Sequence, residues 1–139
     1  MLIFEMTINL RPAKIADIPC IKKLVAHYAK EKRLLPRGTA ELRKFIRSFF
    51  VAEEDGCVVG TAALEIYSKK LSEVRSLAVE HGYKGRGIGA ALVGACLKRA
   101  RSRKVAQVMA VTSTEKFFEK QGFSFALPHE KKALFYWTK

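Results

Sequence analysis

Apolar positions along this chain change period repeatedly, and each change marks the edge of an element. Residues 8–12 predict a short strand. Asp17 is then placed to cap a helix that carries Ile18, Ile21, Leu24, Val25 and Tyr28 at helical spacing, leaving Lys22, Lys23 and Lys30 for water. Pro36 and Gly38 interrupt a basic loop. Thr39 is the expected cap of a second helix, with Leu42, Phe45, Ile46 and Phe49 on its apolar face. Asp55 and Gly56 separate the apolar runs 49–52 and 57–66, a strong short-range hairpin signal. Residues 73–79 read as a further strand, broken at His81 and Gly82, and a Gly-rich stretch at 84–89 opens a helix through Leu92, Val93, Cys96, Leu97 and Ala100. That helix closes on Lys98, Arg99, Arg101 and Arg103, cations suited to a helix C-terminus. A strand at 105–111, a short helix through Phe117, Phe118 and Gln121 with Thr114 as its cap, and strands at 123–127 and 133–137 complete the series. The order β α α β β β α β α β β, with no repeat and no linker, predicts one α/β domain over residues 1–139, a mixed central sheet flanked by helices.

Composition narrows the partners more than the fold. The 139 residues are 49% hydrophobic and 28% charged, a globular balance, and the net charge of +13 draws the chain towards anions. Charge alone does not separate nucleic acid, an anionic membrane and small polyphosphates. The aromatics fall at core spacing instead of interleaving a basic surface, and no nucleic-acid motif is present, so a nucleic-acid module is disfavoured. No run approaches the ~20 apolar residues of a membrane span. The start, MLIFEM, lacks a basic leader region, and Met6 serves equally well as a first residue, so a cytoplasmic protein is expected. Cys20, Cys57 and Cys96 are odd in number, widely spaced and set among aliphatic neighbours, which predicts buried free thiols. His27, His81 and His129 have no metal-ligand spacing, and no metal is assigned.

The stretch 73–92, EVRSLAVEHGYKGRGIGAAL, carries the most specific chemistry. A Gly-rich turn feeding a helix N-terminus presents unpaired N–H groups and the positive end of the helix dipole, and missing β-carbons let a phosphate approach closely. Lys84 and Arg86 add charge between Gly85, Gly87 and Gly89. The plainer alternative is a tight turn with no ligand. Gly85, Gly87 and Ala90 also satisfy the dinucleotide pattern G-x-G-x-x-A, but that fold needs an acidic residue about 20 positions on, and 105–111 supplies none.

With these residues in view, the chain resembles the GNAT acetyl-CoA-dependent N-acetyltransferases. The resemblance rests on Leu77, Ala78 and Val79 ending the strand, on Lys84, Gly85, Arg86, Gly87, Ile88 and Gly89 as the pyrophosphate loop, and on Phe117 to Phe123 as the family's aromatic element. Lys84 replaces the usual Gln or Arg, and Phe118 stands where the family has a Tyr. Within the family the acetyltransferase domain of N-acetylglutamate synthases is most similar, through LLPRG at 34–38, EVRSLAV at 73–79 and FFEKQGF at 117–123. The resemblance implies a GNAT fold, acetyl-CoA as cofactor, and acetyl transfer to the α-amino group of glutamate or a similar small amine. It also implies a role in arginine biosynthesis, and a homodimer is compatible with it.

Acetyl transfer from a thioester needs a held cofactor, a neutral amine, a stabilised oxyanion and a proton for the thiolate. Leu77, Ala78, Val79, Lys84, Gly85, Arg86, Gly87, Ile88, Gly89, Ala90 and Phe118 are the candidate cofactor contacts. Glu73 is the candidate base, directly or through water; its alternative is a plain ion pair with Arg75 on the same strand face. A backbone N–H near Leu77 is the candidate oxyanion donor. Ser113 or Thr114 would protonate the thiolate in place of the missing Tyr, with helix capping as their alternative role and Tyr136 or water as substitutes. Arg37, which matches the substrate-contacting Arg of the synthases, and Arg75 are the candidate acceptor cations, with simple surface charge as the alternative. Protein or peptide N-acetylation, and a non-catalytic acyl-CoA sensor, stay open as other functions.

Overall fold

The computed structural model describes residues 8–31, 34, 36–125 and 134–138. Its sheet has five strands in the order β1-β2-β3-β4-β5: β1 (Asn9–Pro12), β2 (Phe49–Glu54), β3 (Cys57–Ile66), β4 (Leu71–Val79) and β5 (Gln107–Met109). The first four run antiparallel and β5 pairs parallel to β4, so the sheet is mixed, as expected. The Asp55-Gly56 hairpin forms with both residues at positive φ, 50° and 79°, and pairs Glu54 with Cys57.

Strand alternation sends side chains to two cores. On one face, α1 (Ile18–Lys30) and α2 (Thr39–Phe45) pack Ile18, Ile21, Val25 and Leu42 on Phe49, Val51 and Ala63. On the other, α3 (Ile88–Ser102) packs Ile88, Leu92, Val93, Cys96 and Ala100 on Ala52, Val59, Ala62, Leu64 and Val74. α1 and α3 also each lie against β4, whose last residues lead to the Gly-rich turn. Tyr28, on the buried side of α1, donates its hydroxyl proton to the Val79 carbonyl at 2.5 Å and pins the end of β4 to that helix. A short α4 (Glu115–Lys120) follows β5. No helix among the described residues is long and apolar enough to cross a membrane.

Several local expectations change. Asp17 does not cap α1 through its side chain; its carboxylate turns back to accept the Lys14 N–H at 2.7 Å and both terminal nitrogens of Arg11 at 2.7 and 2.8 Å. That fork holds its carboxyl below the usual range, and it ties the chain after β1 to the sheet. Gly38 occupies the cap of α2, and Thr39 is its first residue, accepting a hydrogen bond from Lys22. Only Cys96 is buried, its thiol pushed up to about 12 by burial; Cys20 and Cys57 are exposed. Residues 123–125 and 134–138 form no strand, and the remainder of the two expected C-terminal strands lies outside the described residues.

Candidate active site

The Gly-rich turn forms as the sequence implies. After a 3-10 turn at His81–Tyr83, Gly85 and Gly87 adopt φ of +80° and +79°, values at which a β-carbon is strained. A β-carbon on either would meet nothing within 4 Å, so the space beside each is open. Gly87 is the cap of α3 and no side chain caps that helix, whose first intrahelical bond runs from the Ala91 N–H to the Gly87 carbonyl. The N–H groups of Ile88, Gly89 and Ala90 are therefore the uncommitted donors of a helix N-terminus. Lys84 and Arg86 lie over the rings of Tyr28 and Tyr83, each at 4.9 Å. This set fits a pyrophosphate. Two members contribute differently from expectation: the Ile88 side chain is in the core, so only its backbone can face a ligand, and Gly89 is small because Phe117 packs at 3.3 Å from where its β-carbon would stand.

Beside the turn the sheet opens. β4 and β5 pair only at Leu71, Ser72 and Glu73, opposite Gln107, Val108 and Met109, and part after that. Residues 74–79 of β4 thus have a backbone edge with no strand neighbour on that side among the described residues, which can accept an extended amide-bearing arm as an added strand. A bulge interrupts the other edge. Thr61 pairs with Ala78 and Ala63 with Arg75, so Ser76 and Leu77 together oppose Ala62, and Ser76 takes φ +56°. Bulges re-aim the backbone next to active sites. The Leu77 N–H sits in this one.

A cleft of about 690 Å³ lies in the splay, lined by Tyr28, Arg37, Glu73, Arg75, Leu77, Ser113, Thr114 and Phe118 among others. Glu73, Leu77, Arg37 and Arg75, and Ser113 and Thr114 for the thiolate proton, therefore reach one space. Glu73 does not take Arg75 as its hydrogen-bonding partner. Arg75 donates across the strands to Glu65 Oε2 at 2.9 Å, while the Tyr67 hydroxyl donates to Glu73 Oε1 at 2.6 Å. Partial burial, then the bond to Glu73, pushes the Tyr67 phenol well above its usual range, so it stays protonated and serves as a donor. Glu65 and Glu73 face each other in the β3-β4 register, where like charges repel. Arg37 and Arg75 on Glu65, and Tyr67 on Glu73, offset that repulsion. Burial works to raise the Glu65 carboxyl, but the two guanidinium bonds win and hold it below its ordinary value.

Arg37 is buried rather than spread on the surface: its side chain is 1% exposed, bonded to Glu41 at 3.0 Å and to Glu65 at 2.7 Å, over the Phe49 ring. Thr114 is at the cap of α4 but makes no side-chain cap; its hydroxyl lies 2.9 Å from that of Thr112, and it and Ser113 stay exposed to the cleft. Tyr136 is 90% exposed and is not among the cleft-lining residues, whereas Phe135 is. Glu65 and Tyr67 escaped the sequence reading, although a hairpin register counted back from the 67–70 turn puts Glu65 opposite Glu73. A separate hollow of about 770 Å³ under β5 and α4 is mostly apolar and shares only Phe118 and Thr112 with this cleft. The structure also gathers His27, Glu31 and His81, which no sequence spacing joined.

The turn, the splayed strands and the bulge define an acyl-CoA-type acyltransferase site. The profile described as the Acetyltransferase (GNAT) family matches residues 19–123, and the chain belongs to that family. It is accordingly an acetyltransferase with acetyl-CoA as its donor. An amino-acid acetyltransferase of Mycobacterium tuberculosis is 38% identical over 117 residues, covering 82% of this chain and 67% of the relative. The crystal structure of Rv2747 from the same organism, in complex with CoA and NLQ, superposes with a TM-score of 0.80 at 37% identity, over 84% of this chain and 71% of that one. N-acetylglutamate synthase from Neisseria gonorrhoeae, complexed with coenzyme A and N-acetyl-glutamate, gives 0.79 at 28% identity, over 84% of this chain but 28% of that one.

Proposed function

We propose that the chain acetylates the α-amino group of a small amino acid, glutamate or a close analogue, within the cleft between β4 and residues 111–114. The observation that carries this reading is the convergence of Glu73, Arg75, the bulge at Leu77, Ser113 and Thr114 on one space beside the cofactor turn. The amine nitrogen attacks the thioester carbonyl, forming the C–N bond; the Leu77 N–H stabilises the oxyanion; and the C–S bond then breaks. Glu73, held by Tyr67, takes the proton lost by nitrogen through water, and Ser113 or Thr114 relays one to the departing thiolate. An α-amine with a pKa near 8 is already about 10% neutral at pH 7, so a carboxylate suffices as base. Arg75 binds the acceptor carboxylate, because it spends one described bond on Glu65, whereas Arg37 is held by two carboxylates and acts mainly through Glu65.

The test is thiol release from acetyl-CoA across amino acids, polyamines and peptides. Glutamate or a near analogue should give the highest kcat/KM. Turnover confined to peptides or polyamines would overturn the acceptor assignment, and no turnover with any amine would favour a CoA-binding sensor.

A further inference from the structure

His27 and His81 are 54 residues apart in sequence, yet their Nε2 atoms lie 2.7 Å apart. His27 is on the last turns of α1 and His81 in the 3-10 turn after β4. Glu31, one helical turn beyond His27, brings Oε1 to 3.8 Å from one of these nitrogens and 4.0 Å from the other. The rings are held in this pose: Tyr28 meets His27 edge-on at 5.4 Å and stacks with His81 at 6.1 Å, while its hydroxyl is fixed on Val79.

The carboxylate of Glu31 faces the same two nitrogens, so three potential ligand atoms of three side chains converge on one point. A dication uses all three donors, and two imidazoles with one carboxylate is a donor set that zinc takes, leaving a fourth position for water. Metal–nitrogen bonds of about 2.0–2.1 Å at tetrahedral angles set the nitrogens about 3.3 Å apart. The two nitrogens must separate by about 0.6 Å, and the three side chains are 50%, 41% and 55% exposed, which gives solvent and an arriving ion access to them.

We propose that His27, Glu31 and His81 bind a zinc-type transition-metal dication that bolts the end of α1 to the turn leading into the cofactor loop. None of the three lines the acceptor cleft, so the ion takes no part in acetyl transfer. Its effect is mechanical: Gly85 and Gly87 follow His81 by a few residues, and clamping His81 to α1 limits how far that turn can move.

The experiment is competition for Zn2+ between a chromophoric chelator and the full chain without a histidine tag. One ion should bind per chain. His27→Ala and His81→Ala should each weaken binding at least about tenfold, while His129→Ala and the double variant Cys20→Ser, Cys57→Ser leave it unchanged. Zn2+ should also raise the Tm of the parent chain and not that of His81→Ala, with metal-free melts confirming that the variants fold. Affinity untouched by both histidine changes, affinity that follows the cysteines, or no stoichiometric binding would each overturn the proposal.

Discussion

At the scale of single residues, the site depends on how four charges and one phenol are shared. The Tyr67 hydroxyl donates to Glu73 at 2.6 Å and, at the longer distance of 3.2 Å, to Glu65, which Arg37 and Arg75 already serve. Glu73 is left with Oε2 lacking a hydrogen-bond partner among the described residues, an arrangement suited to receiving a proton from water. Glu73→Gln keeps the shape and the tyrosine contact but cannot take that proton. We expect kcat to fall about 100-fold with CoA affinity unchanged, measured by steady-state kinetics and calorimetry; undiminished kcat would remove Glu73 from the mechanism. Arg37 behaves differently. Replacing it by Gln leaves Glu65 partly buried with one guanidinium fewer, and breaking such a buried pair costs about 3 kcal/mol, or about 10 °C in Tm for a chain of this size. A melt within 2 °C of the parent, with only KM raised, would instead make Arg37 a direct acceptor contact. The Glu65 carboxyl is held low in the folded state, so its contribution to stability is complete above the ordinary carboxylate pKa of about 4.3. That contribution is lost as the pH falls through its lowered value.

At the scale of elements, the cofactor turn and the cleft differ in how much of them a reader of the sequence could see. The hairpin at Asp55 and Gly56, the apolar faces of α1 and α3, and the turn at Gly85 and Gly87 are written in neighbouring residues, since a two-residue turn, a helical stripe and a positive φ are local demands. The bulge at Ser76 and Leu77 is a mismatch in length between β3 and β4, and no single strand records it. Glu65 and Tyr67 matter only through the register of the same two strands, and His27 meets His81 only because Tyr28 pins β4 to α1. The cysteines mislead for a related reason. Cys20 has aliphatic neighbours in sequence but falls on the water side of α1, and Cys57 is the first residue after a turn. Gly87→Val tests the most legible element. A branched side chain at φ +79° costs about 1–3 kcal/mol of strain and projects into the open space beside the turn. Folding should survive with a lowered Tm, while CoA binding by calorimetry should be lost. Parent-like CoA affinity would mean that the pyrophosphate is held elsewhere.

At the scale of the whole molecule, 26 Lys and Arg stand against 13 Asp and Glu, and the cleft is not where the excess lies. Around the cleft Arg37 and Arg75 are matched by Glu41, Glu65 and Glu73, so the space is close to balanced in charge. Lys84 and Arg86 flank the cofactor turn, and Lys98, Arg101 and Arg103 extend the positive surface along the far end of α3. A polyanionic donor should feel this field well before contact, and the reach of the field is set by salt, with a Debye length of about 30 Å at 0.01 M and about 8 Å at 0.15 M. The association rate of acetyl-CoA, followed by stopped flow, should therefore fall several-fold between these ionic strengths, while kcat at saturation of both substrates stays constant. Acetyl-pantetheine, which carries the thioester arm without the phosphates, supplies the control and should associate at a rate indifferent to salt. Changing Lys84 and Arg86 together to Gln should flatten the acetyl-CoA dependence without altering that of the control. An acetyl-CoA association rate that does not respond to ionic strength would mean that the surplus charge faces away from the cofactor's path, and that the turn captures its pyrophosphate by backbone N–H groups and short-range contact alone.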